Sequence, residues 1–447
     1  MRPSAKRSVL PALAVLVCCA ATPQPLPDDL ITLYLRAVEV DPTFQSARAE
    51  RQIADEALRE SQAGVRPLIS ANASGTKTYQ DIRKSDTLLY RVGKSDFYTR
   101  NFSISVTQPL FRSDAFHRIP GARAGVRRGE GELAAAEQDL VFRVAEAFFN
   151  FLAARDDLAF ATAEREAIWR QLEETEQKLG SGLAKITDVH EARGRFTVAQ
   201  AAEIDARDRL EEGRQAIAEI TGEAPYDLKV LSEGLPLIRP DSPEVGVWLQ
   251  TALFQNPKIV ALTAAVDAAR EDSRVQKGAY RPTLDLVASY NNNDAGGTVF
   301  GGGNQIANKE IALRLGIPIY DGGRASALVG AAAVRQNIAE QALEREKRSV
   351  DRQTRAAFQG VVSGVARVEA LAAAAFSHEA AVVAKDEGWR AGLNTGLAVL
   401  DARRDLFLAE RDHARARYLY VLNSLKLKQA AGILSVSDLE EINAYLQ

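Results

Sequence analysis

The sequence is poor in cysteine, because its 447 residues include only Cys18 and Cys19. Both lie in a mostly apolar run from Val9 to Ala21, which follows three basic residues. This order is typical of a secretory signal peptide, so we expect residues 1–21 to be removed. A lipid anchor on Cys18 is the alternative, but Val17 stands where a small residue would be expected. A chain cut after the apolar run keeps no cysteine, so no disulfide framework organises the fold.

The sequence also lacks the patterns of several functional classes. No apolar run is long enough for a transmembrane helix, and the net charge of -3 argues against nucleic acid as a partner. The glycine-rich segment Gly301-Gly302-Gly303 is not followed by the Gly-Lys-Ser/Thr of a phosphate-binding loop. The four histidines are scattered and lack the paired pattern of a zinc protease: His117, His190, His378 and His413. We therefore expect no enzyme activity, no cofactor and no metal site.

A long proline-free segment, Ala122 to Gly182, dominates what the sequence does contain. Its apolar residues recur every three or four positions, for example at Val144, Phe148 and Phe151, which predicts an amphipathic helix. At 1.5 Å per residue, about sixty residues form a rod of roughly 90 Å. Such a length suggests a coiled coil or a helical repeat, and the many charged side chains of the segment exclude a membrane span.

Two parts of the sequence repeat the same order of markers. Pro42 and Pro67 flank an alanine-rich helical segment, and Pro257 and Pro282 flank a second segment of equal length. Later markers recur at a nearly constant offset, which indicates a tandem duplication. We predict a signal peptide at 1–21, a first helix–hairpin–helix repeat at 22–222, an equatorial linker at 223–244, and a second repeat with a C-terminal segment at 245–447.

The helices of each repeat differ in length in a regular way. We predict helices at about 29–64, 113–179 and 185–221 in the first repeat, and at about 245–277, 321–390 and 397–431 in the second. Each long helix spans roughly 100 Å, about the sum of its two shorter neighbours, so the shorter helices are expected to stack end to end beside it. The proline-containing linker falls where they meet and predicts an irregular belt halfway along the rods.

Each repeat also contains two stretches in which apolar and polar residues alternate, as in a β-strand. The predicted strands lie at about 67–80, 99–110, 282–292 and 307–318. This pattern suits either a half-buried soluble sheet or an outer-membrane barrel that is apolar outside and polar inside. No helix is spare to cover the apolar face, and four strands cannot close around a pore. We therefore expect the sheet to close with strands from other copies of the chain.

These features resemble the TolC family of trimeric outer-membrane channel proteins over nearly the whole mature chain. The similarity is carried in order by Ala147-Phe148-Phe149-Asn150, by Gly182 to Val189 and by Pro318 to Gly323. The resemblance implies a mainly α fold with β, in which long coiled-coil helices and four strands make up each protomer. It implies a trimeric 12-stranded β-barrel in the outer membrane of a Gram-negative bacterium, continued by an α-helical barrel in the periplasm.

The resemblance also implies a function, that of an exit duct for type I protein secretion, multidrug efflux or both. Its implied partners are two further copies in a homotrimer, outer-membrane lipid, a periplasmic adaptor (membrane fusion) protein and an inner-membrane ABC or proton-driven transporter. Adaptor and pump would open the duct at its periplasmic tip. The alternative is a periplasmic adaptor or coiled-coil scaffold, which predicts one helical hairpin with a small β domain instead of two repeats.

Both turns between a long helix and the returning helix carry a Gly-Leu pair, Gly182-Leu183 and Gly392-Leu393. Glycine at such a position lets the chain reverse between helices. That role does not account for an exposed leucine beside the glycine in both repeats. By resemblance these tips are the edge that the adaptor grips, with Leu183 and Leu393 packed against it.

The resemblance further implies a periplasmic gate formed by Thr187, Asp188, Trp389, Asn394 and Asp401. In the family, an Asp of the first repeat binds a Tyr and an Arg of the second. Thr187 and Asp188 match the first-repeat partners, whereas Trp389 and Asn394 occupy the Tyr and Arg positions. The indole N–H and the Asn amide are then the donors left for Asp188, and the charge-assisted Arg contact is lost.

Acidic positions near the tip form the second part of the implied gate, because in the family they line the closed entrance and attract cations. Asp401 keeps one of two such positions, and the other is Ala398. We expect the same closing movement with weaker contacts and a weaker cation site. For Asp188 and Asp401 the alternative is a local role, since an acid in the first turn stabilises a helix by about 0.3–1 kcal/mol.

Overall fold

The computed structural model describes residues 27–447 except 85, 87–91, 233, 241 and 298–301. The predicted signal peptide at 1–21 lies outside the described residues. The described part is mainly helical and contains one four-stranded sheet. The predicted combination of long helices with four strands is therefore confirmed.

The two halves of the chain have the same order of elements. The first half contains α1 (Leu30–Val40), α2 (Pro42–Ala63), β1 (Leu68–Ile82), β2 (Gly93–Phe111), α3 (Ser113–Gly180) and α4 (Ile186–Thr221). The second half contains α5 (Val245–Gln255), α6 (Pro257–Lys277), a 3-10 turn (Gly278–Tyr280), β3 (Thr283–Ala295), β4 (Asn304–Gly316), α7 (Arg324–Arg390), α8 (Gly396–Ala431) and α9 (Val436–Asn443).

The segment before each β-hairpin is two helices, not the single helix predicted from the sequence. The breaks lie at Asp41 and Asn256, and each is followed by a proline at the start of the next helix. Proline has no N–H to donate to the preceding turn, so the first helix ends there. The side chains of Asp41 and Asn256 then accept hydrogen bonds from the N–H groups of Phe44 (2.8 Å) and Lys258 (3.0 Å), which cap α2 and α6.

The long helices α3 and α7 contain 68 and 67 residues, a length of roughly 100 Å each. α3 packs against α2, α4 and α6, whereas α7 packs mainly against α8 and α6. Gly131 allows α6 to approach α3 closely, because a Cβ at this position would lie 2.9 Å from the backbone nitrogen of Ala261. The shorter helices of each half thus run beside the long ones.

α7 departs from one expectation. Among the described helices, it alone contains an 18-residue window apolar enough to cross a membrane, although the sequence was expected to hold no such run. Only 17% of that window is buried within the protomer. Length and composition are weak grounds for a membrane span, and the same helix continues at both ends into charged segments. The window is an alanine-rich stretch of α7 that is mostly exposed in a single protomer.

The four strands form one antiparallel sheet in the order β1-β2-β3-β4. Ile69 pairs with Val106, Val106 with Ala288, and Ala288 with Ile311, so an apolar row crosses all four strands. The adjacent row lies on the opposite face and consists of Ser70, Ser105, Ser289 and Glu310. The sheet therefore has one apolar and one polar face. Among the described residues, the outer edges of β1 and β4 have no strand partner.

The apolar face of the sheet is uncovered in the protomer. Ile311, Leu313 and Leu315 of β4 are all well exposed, Ile311 at 80%. Contiguous apolar surface of this kind marks a membrane or partner-binding region. The two unpaired edges have the same consequence, because backbone N–H and C=O groups at an edge seek a further strand.

The main core lies halfway along the rods. Phe148 and Phe149 of α3 are fully buried there and pack with Leu30 and Leu33 of α1. The linker between the halves adds short β-bridges at Asp28–Leu228 and Leu231–Leu446. The middle of the molecule is therefore its most firmly packed part, and the tips of the rods are farthest from it.

Candidate functional site

The two turns at the far end of the rods have nearly the same backbone. Gly182 after α3 and Gly392 after α7 both have a φ of +76°. The N–H groups of Leu183 and Leu393 donate back to carbonyls in the last turns of α3 (2.8 Å) and α7 (2.7 Å). Because a positive φ favours glycine, each Gly ends its helix and reverses the chain.

The leucines of the two tips are mostly exposed in the protomer. Leu183 is 80% exposed and Leu393 is 83% exposed. Within the described residues, neither belongs to a hydrophobic cluster. Both apolar side chains are thus available to a partner, and the adaptor-docking role of Gly182, Leu183, Gly392 and Leu393 stays a prediction.

Asp188 closes the first turn of α4. Its carboxylate accepts hydrogen bonds from the Lys185 N–H (3.0 Å) and from the Thr187 hydroxyl (3.3 Å). This is the local helix-stabilising role that the sequence offered as an alternative. Asp188 also lines the groove between the two helical hairpins, so the local role does not remove it from the tip surface.

Trp389 and Asn394 interact within their own hairpin. The Asn394 side-chain amide donates to the Lys385 carbonyl (3.2 Å) and packs on Gly388. The Trp389 indole is 43% exposed. All five gate residues lie in the described part. There, neither Trp389 nor Asn394 donates a hydrogen bond to Asp188. The protomer thus brings Asp188 and Asp401 to one groove but does not bring the predicted donors onto Asp188.

Asp401 on α8 faces α4 of the other hairpin. Its Oδ1 lies 3.8 Å from Nη1 of Arg195, and each side chain is 44% exposed. Arg195 also donates to Glu191 one turn earlier on α4 (2.9 Å). Sequence reasoning missed Arg195, and no signal in the sequence identifies it. Only the packing of the two hairpins brings residues so distant along the chain together.

A groove of about 1140 Å³ separates the hairpins near the tips. Its charged lining comes from α3, α4 and α8 and has both signs: Glu164, Lys178, Asp188, Glu191, Arg195, Asp401, Arg404 and Asp405. Between residues 27 and 447, outside the excepted positions, no three or more His, Cys, Asp or Glu side chains cluster in a way that could hold a metal. The groove is therefore a gap between helices that carry charges of both signs.

Nearer the core, the hairpins are joined by buried contacts. Asp157 of α3 is 7% exposed and accepts a hydrogen bond from Arg415 of α8 (2.7 Å). The neighbouring Asp156 accepts one from the Tyr418 hydroxyl (2.7 Å). Burial raises the pKa of Asp156, and burial together with the Asp156 carboxylate raises the pKa of Tyr418. The contacts between the hairpins are therefore buried and short near the core. At Arg195–Asp401 the side chains are more exposed and the distance between their charged atoms is longer.

The sequence model of the family described as outer membrane efflux protein matches residues 33–223 and 248–433. The chain belongs to this family. The two matched segments lie on either side of the linker and cover both sets of long helices. The outer membrane efflux protein family consists of transport proteins and is not a family of known enzymes.

Relatives of this efflux protein extend over nearly its whole length. Outer membrane protein TolC of Vibrio cholerae is 31% identical over 424 residues, which cover 94% of each chain. TolC of Escherichia coli is 29% identical and covers 93% of this chain and 84% of its own length. The alkaline protease secretion protein AprF of Pseudomonas aeruginosa is 27% identical, with 93% and 86% covered.

Solved structures share the fold of this efflux protein at low identity. The Campylobacter jejuni CmeC outer membrane channel superposes with a TM-score of 0.76 at 15% identity, covering 94% of this chain and 90% of CmeC. The outer membrane protein VceC of Vibrio cholerae gives 0.71 at 18%, with 90% and 96% covered. The predicted exit duct in the Gram-negative outer membrane is confirmed by the family and its relatives.

Proposed function

We propose that this efflux protein forms a homotrimer whose three sheets close into one 12-stranded barrel in the outer membrane. The observation that carries the proposal is the sheet with one exposed apolar face and two unpaired edges. Lipid would cover the apolar face, and β1 of one copy would pair with β4 of the next, which leaves no open edge. The helices would continue the barrel as a periplasmic duct.

The proposed duct serves type I protein secretion, multidrug efflux or both, with energy and cargo supplied by a partner pump. Support for both cargo classes comes from relatives, since AprF is an alkaline protease secretion protein and BepC of Brucella suis an outer membrane efflux protein. A periplasmic adaptor would join the duct to an inner-membrane ABC or proton-driven transporter. The duct itself performs no chemistry.

We assign the chain four parts in this proposal: a removed signal at 1–21, a first repeat at 22–222, an equatorial linker at 223–244 and a second repeat with a C-terminal segment at 245–447. The duplication gives each copy two helical hairpins and two β-hairpins. Three copies then supply six of each around the axis.

Cross-linking between the sheet edges tests the trimer. Asn72 on β1 and Asn308 on β4 share one row of the polar face. The mature chain is expected to contain no cysteine, so Asn72→Cys combined with Asn308→Cys introduces the only thiols. The strands of a closed barrel are staggered, which shifts the register between copies. The thiol on β4 is therefore also placed at Asn304, Ala312 or Arg314 on the same face. With one of these pairs, a short bis-maleimide should produce a ladder on denaturing gels that ends at three chains.

The single variants are the controls for this ladder. Neither Asn72→Cys nor Asn308→Cys alone should give any cross-linked species, because β1 would meet β4 and not a second β1. Products confined to one chain for every pair, or a ladder that continues beyond three chains, would refute the trimer. A protein found only in the soluble periplasmic fraction would support the alternative of an adaptor or scaffold.

The tips are the proposed adaptor-docking surface, defined by Gly182, Leu183, Gly392 and Leu393. Replacing both leucines with aspartate should lower export of a fluorescent efflux substrate from whole cells roughly tenfold, since apolar anchors dominate such contacts. Ile204→Asp is the control, because Ile204 is also exposed on α4 but lies away from the tip. Normal export by the double leucine variant, at unchanged outer-membrane abundance, would remove the leucines from the docking surface.

The gate proposal keeps Thr187, Asp188, Trp389, Asn394 and Asp401 at the periplasmic entrance. In this proposal the hairpins separate at the tip and stay joined near the core. The buried Asp157–Arg415 and Asp156–Tyr418 contacts support a fixed junction near the core. The half-exposed side chains of Arg195 and Asp401 support a movable end at the tips. The entrance is where Asp401 would meet passing ions.

A further inference from the structure

In the described part of the chain, one ion pair joins the two hairpins close to the tips. Arg195 of α4 and Asp401 of α8 approach to 3.8 Å. Among the described residues, the other ion pair between these hairpins is Asp157–Arg415, about 20 Å nearer the core along α8. The Arg195–Asp401 pair is therefore the electrostatic link at the entrance end.

Three other arginines near the entrance pair with carboxylates other than Asp401. Arg193 pairs with Glu176 inside the first hairpin (2.8 Å), and Arg403 lies 3.6 Å from Asp386 inside the second. Arg404 pairs with the adjacent Asp405 (3.3 Å). Within the described part of the chain, Arg195 is thus the one cationic partner of the Asp401 carboxylate.

We infer that Arg195 is a selectivity-determining residue of the entrance, which neutralises the Asp401 carboxylate and limits its preference for cations. The inference rests on the proposed function, which places Asp401 in the path of ions. An unpaired ring of carboxylates concentrates cations, because like charges at a constriction add their fields. The Arg195 guanidinium lies beside the carboxylates of both Glu191 (2.9 Å) and Asp401 (3.8 Å). Its positive charge offsets part of the local negative charge, and this weakens the field of Asp401 at the entrance.

The same geometry explains why Arg195, and not Arg193, should affect ion selectivity. Arg193 and Arg195 lie two residues apart on one helix, carry the same charge and are both partly exposed. Only Arg195 reaches across to the second hairpin. A general effect of positive charge on the tip would make the two residues equivalent, whereas local neutralisation of Asp401 makes them different.

Reversal potentials in planar lipid bilayers under a KCl gradient test the inference on the full-length purified channel. Arg195→Gln should raise the potassium-to-chloride permeability ratio about threefold. Arg193→Gln removes the same charge and should change that ratio much less. Equal changes in the two variants would overturn the inference, because the effect would then follow net charge alone.

Asp401→Asn separates the inference from the proposed function. This variant should lower the permeability ratio, and an unchanged ratio would show that Asp401 does not line the ion path, which defeats the entrance assignment itself. If Asp401→Asn lowers the ratio while Arg195→Gln leaves it unchanged, only the inference fails. The double variant should match Asp401→Asn. A double variant that keeps the raised ratio would show that Arg195 acts through another carboxylate, such as Glu191.

A chemical variant removes any dependence on folding. The mature chain is expected to be free of cysteine, so Arg195→Cys carries a single thiol that can be modified in an already inserted channel. A positively charged aminoethyl methanethiosulfonate should return the permeability ratio to the wild-type value, and a neutral methyl reagent should leave it raised. Equal responses to the two reagents would overturn the inference.

Discussion

We expect Arg143→Met to lower the free energy of unfolding by about 3–5 kcal/mol, because it leaves a buried carboxylate without its partner. Arg143 of α3 binds Asp41 through two parallel hydrogen bonds, with Nη1–Oδ1 at 3.1 Å and Nη2–Oδ2 at 2.8 Å. The Asp41 side chain is only 3% exposed. Asp41 also caps α2, so the pair fixes the break between α1 and α2 against the long helix. Thermal and denaturant unfolding in detergent measure the loss.

Arg128→Met is the matched control for Arg143→Met. Arg128 lies on the same helix and pairs with Glu132 four residues later (2.8 Å), but both side chains are about half exposed. Its loss should cost no more than roughly 0.5 kcal/mol. Adding Asp41→Asn to Arg143→Met should recover part of the stability, since the group left in the buried site is then neutral. Similar losses in the two arginine variants would contradict the expectation.

The same pair gives a pH dependence with a defined sign. Burial acts to raise the pKa of Asp41, but the hydrogen bonds from Arg143 and from the Phe44 N–H outweigh it and hold the pKa below its ordinary value. The native state therefore binds this proton less readily than the unfolded state. The contribution of the pair is complete above about pH 4 and is lost as the pH falls through the folded pKa. Arg143→Met should reduce this acid-side loss.

The second large effect is expected for Gly432→Ala, with a loss of roughly 2–5 kcal/mol. Gly432 ends α8 with a φ of +78°. A Cβ there would lie 2.6 Å from both the nitrogen and the Cα of Asn256, which are backbone atoms that cannot rotate away. Asn256 in turn caps α6 and donates through its side-chain amide to the Ala430 carbonyl (3.0 Å). The substitution therefore strains one turn and pushes apart the ends of α5 and α8.

Gly392→Ala separates the two causes of that loss. Gly392 has almost the same φ, +76°, but nothing lies within 4 Å of the Cβ position. Only the backbone strain of roughly 1–2 kcal/mol should remain there. The melting temperature of Gly432→Ala should therefore fall clearly below that of Gly392→Ala. Equal melting temperatures would mean that Gly432 is needed only for its φ and that the contact with Asn256 relaxes freely.

Most of the architecture follows from local patterns in the sequence. Alternation at Phe102, Ile104 and Val106 identifies a strand because side chains of a strand point alternately to two faces. The strand extends from Gly93, earlier than predicted, since its first residues do not alternate. The Asp41-Pro42 step could have predicted the helix break, because Asp caps a helix and Pro interrupts one. The continuous alanine-rich pattern around it favoured a single helix instead.

The candidate site was less accessible from the sequence. The tip turns could be placed, since Gly182 and Gly392 sit at matching positions of the duplication. The Arg195–Asp401 pair could not, because its formation depends on how two hairpins rotate against each other. A surface arginine among many on α4 has no distinguishing neighbour in the sequence. Likewise, nothing local shows that Asn394 turns its amide back to Lys385.

The polar face of the sheet has a consequence for cargo. One of its rows contains Asn72, Ser103, Asn291 and Asn308, and the next contains three serines and Glu310. Hydroxyl and amide groups both donate and accept, so such a lining binds water in every orientation and offers few fixed charges. In the proposed barrel, a molecule that moves outward would break and re-form many weak hydrogen bonds of similar strength with these side chains. It would meet low friction and no trapping site on its way to the cell exterior.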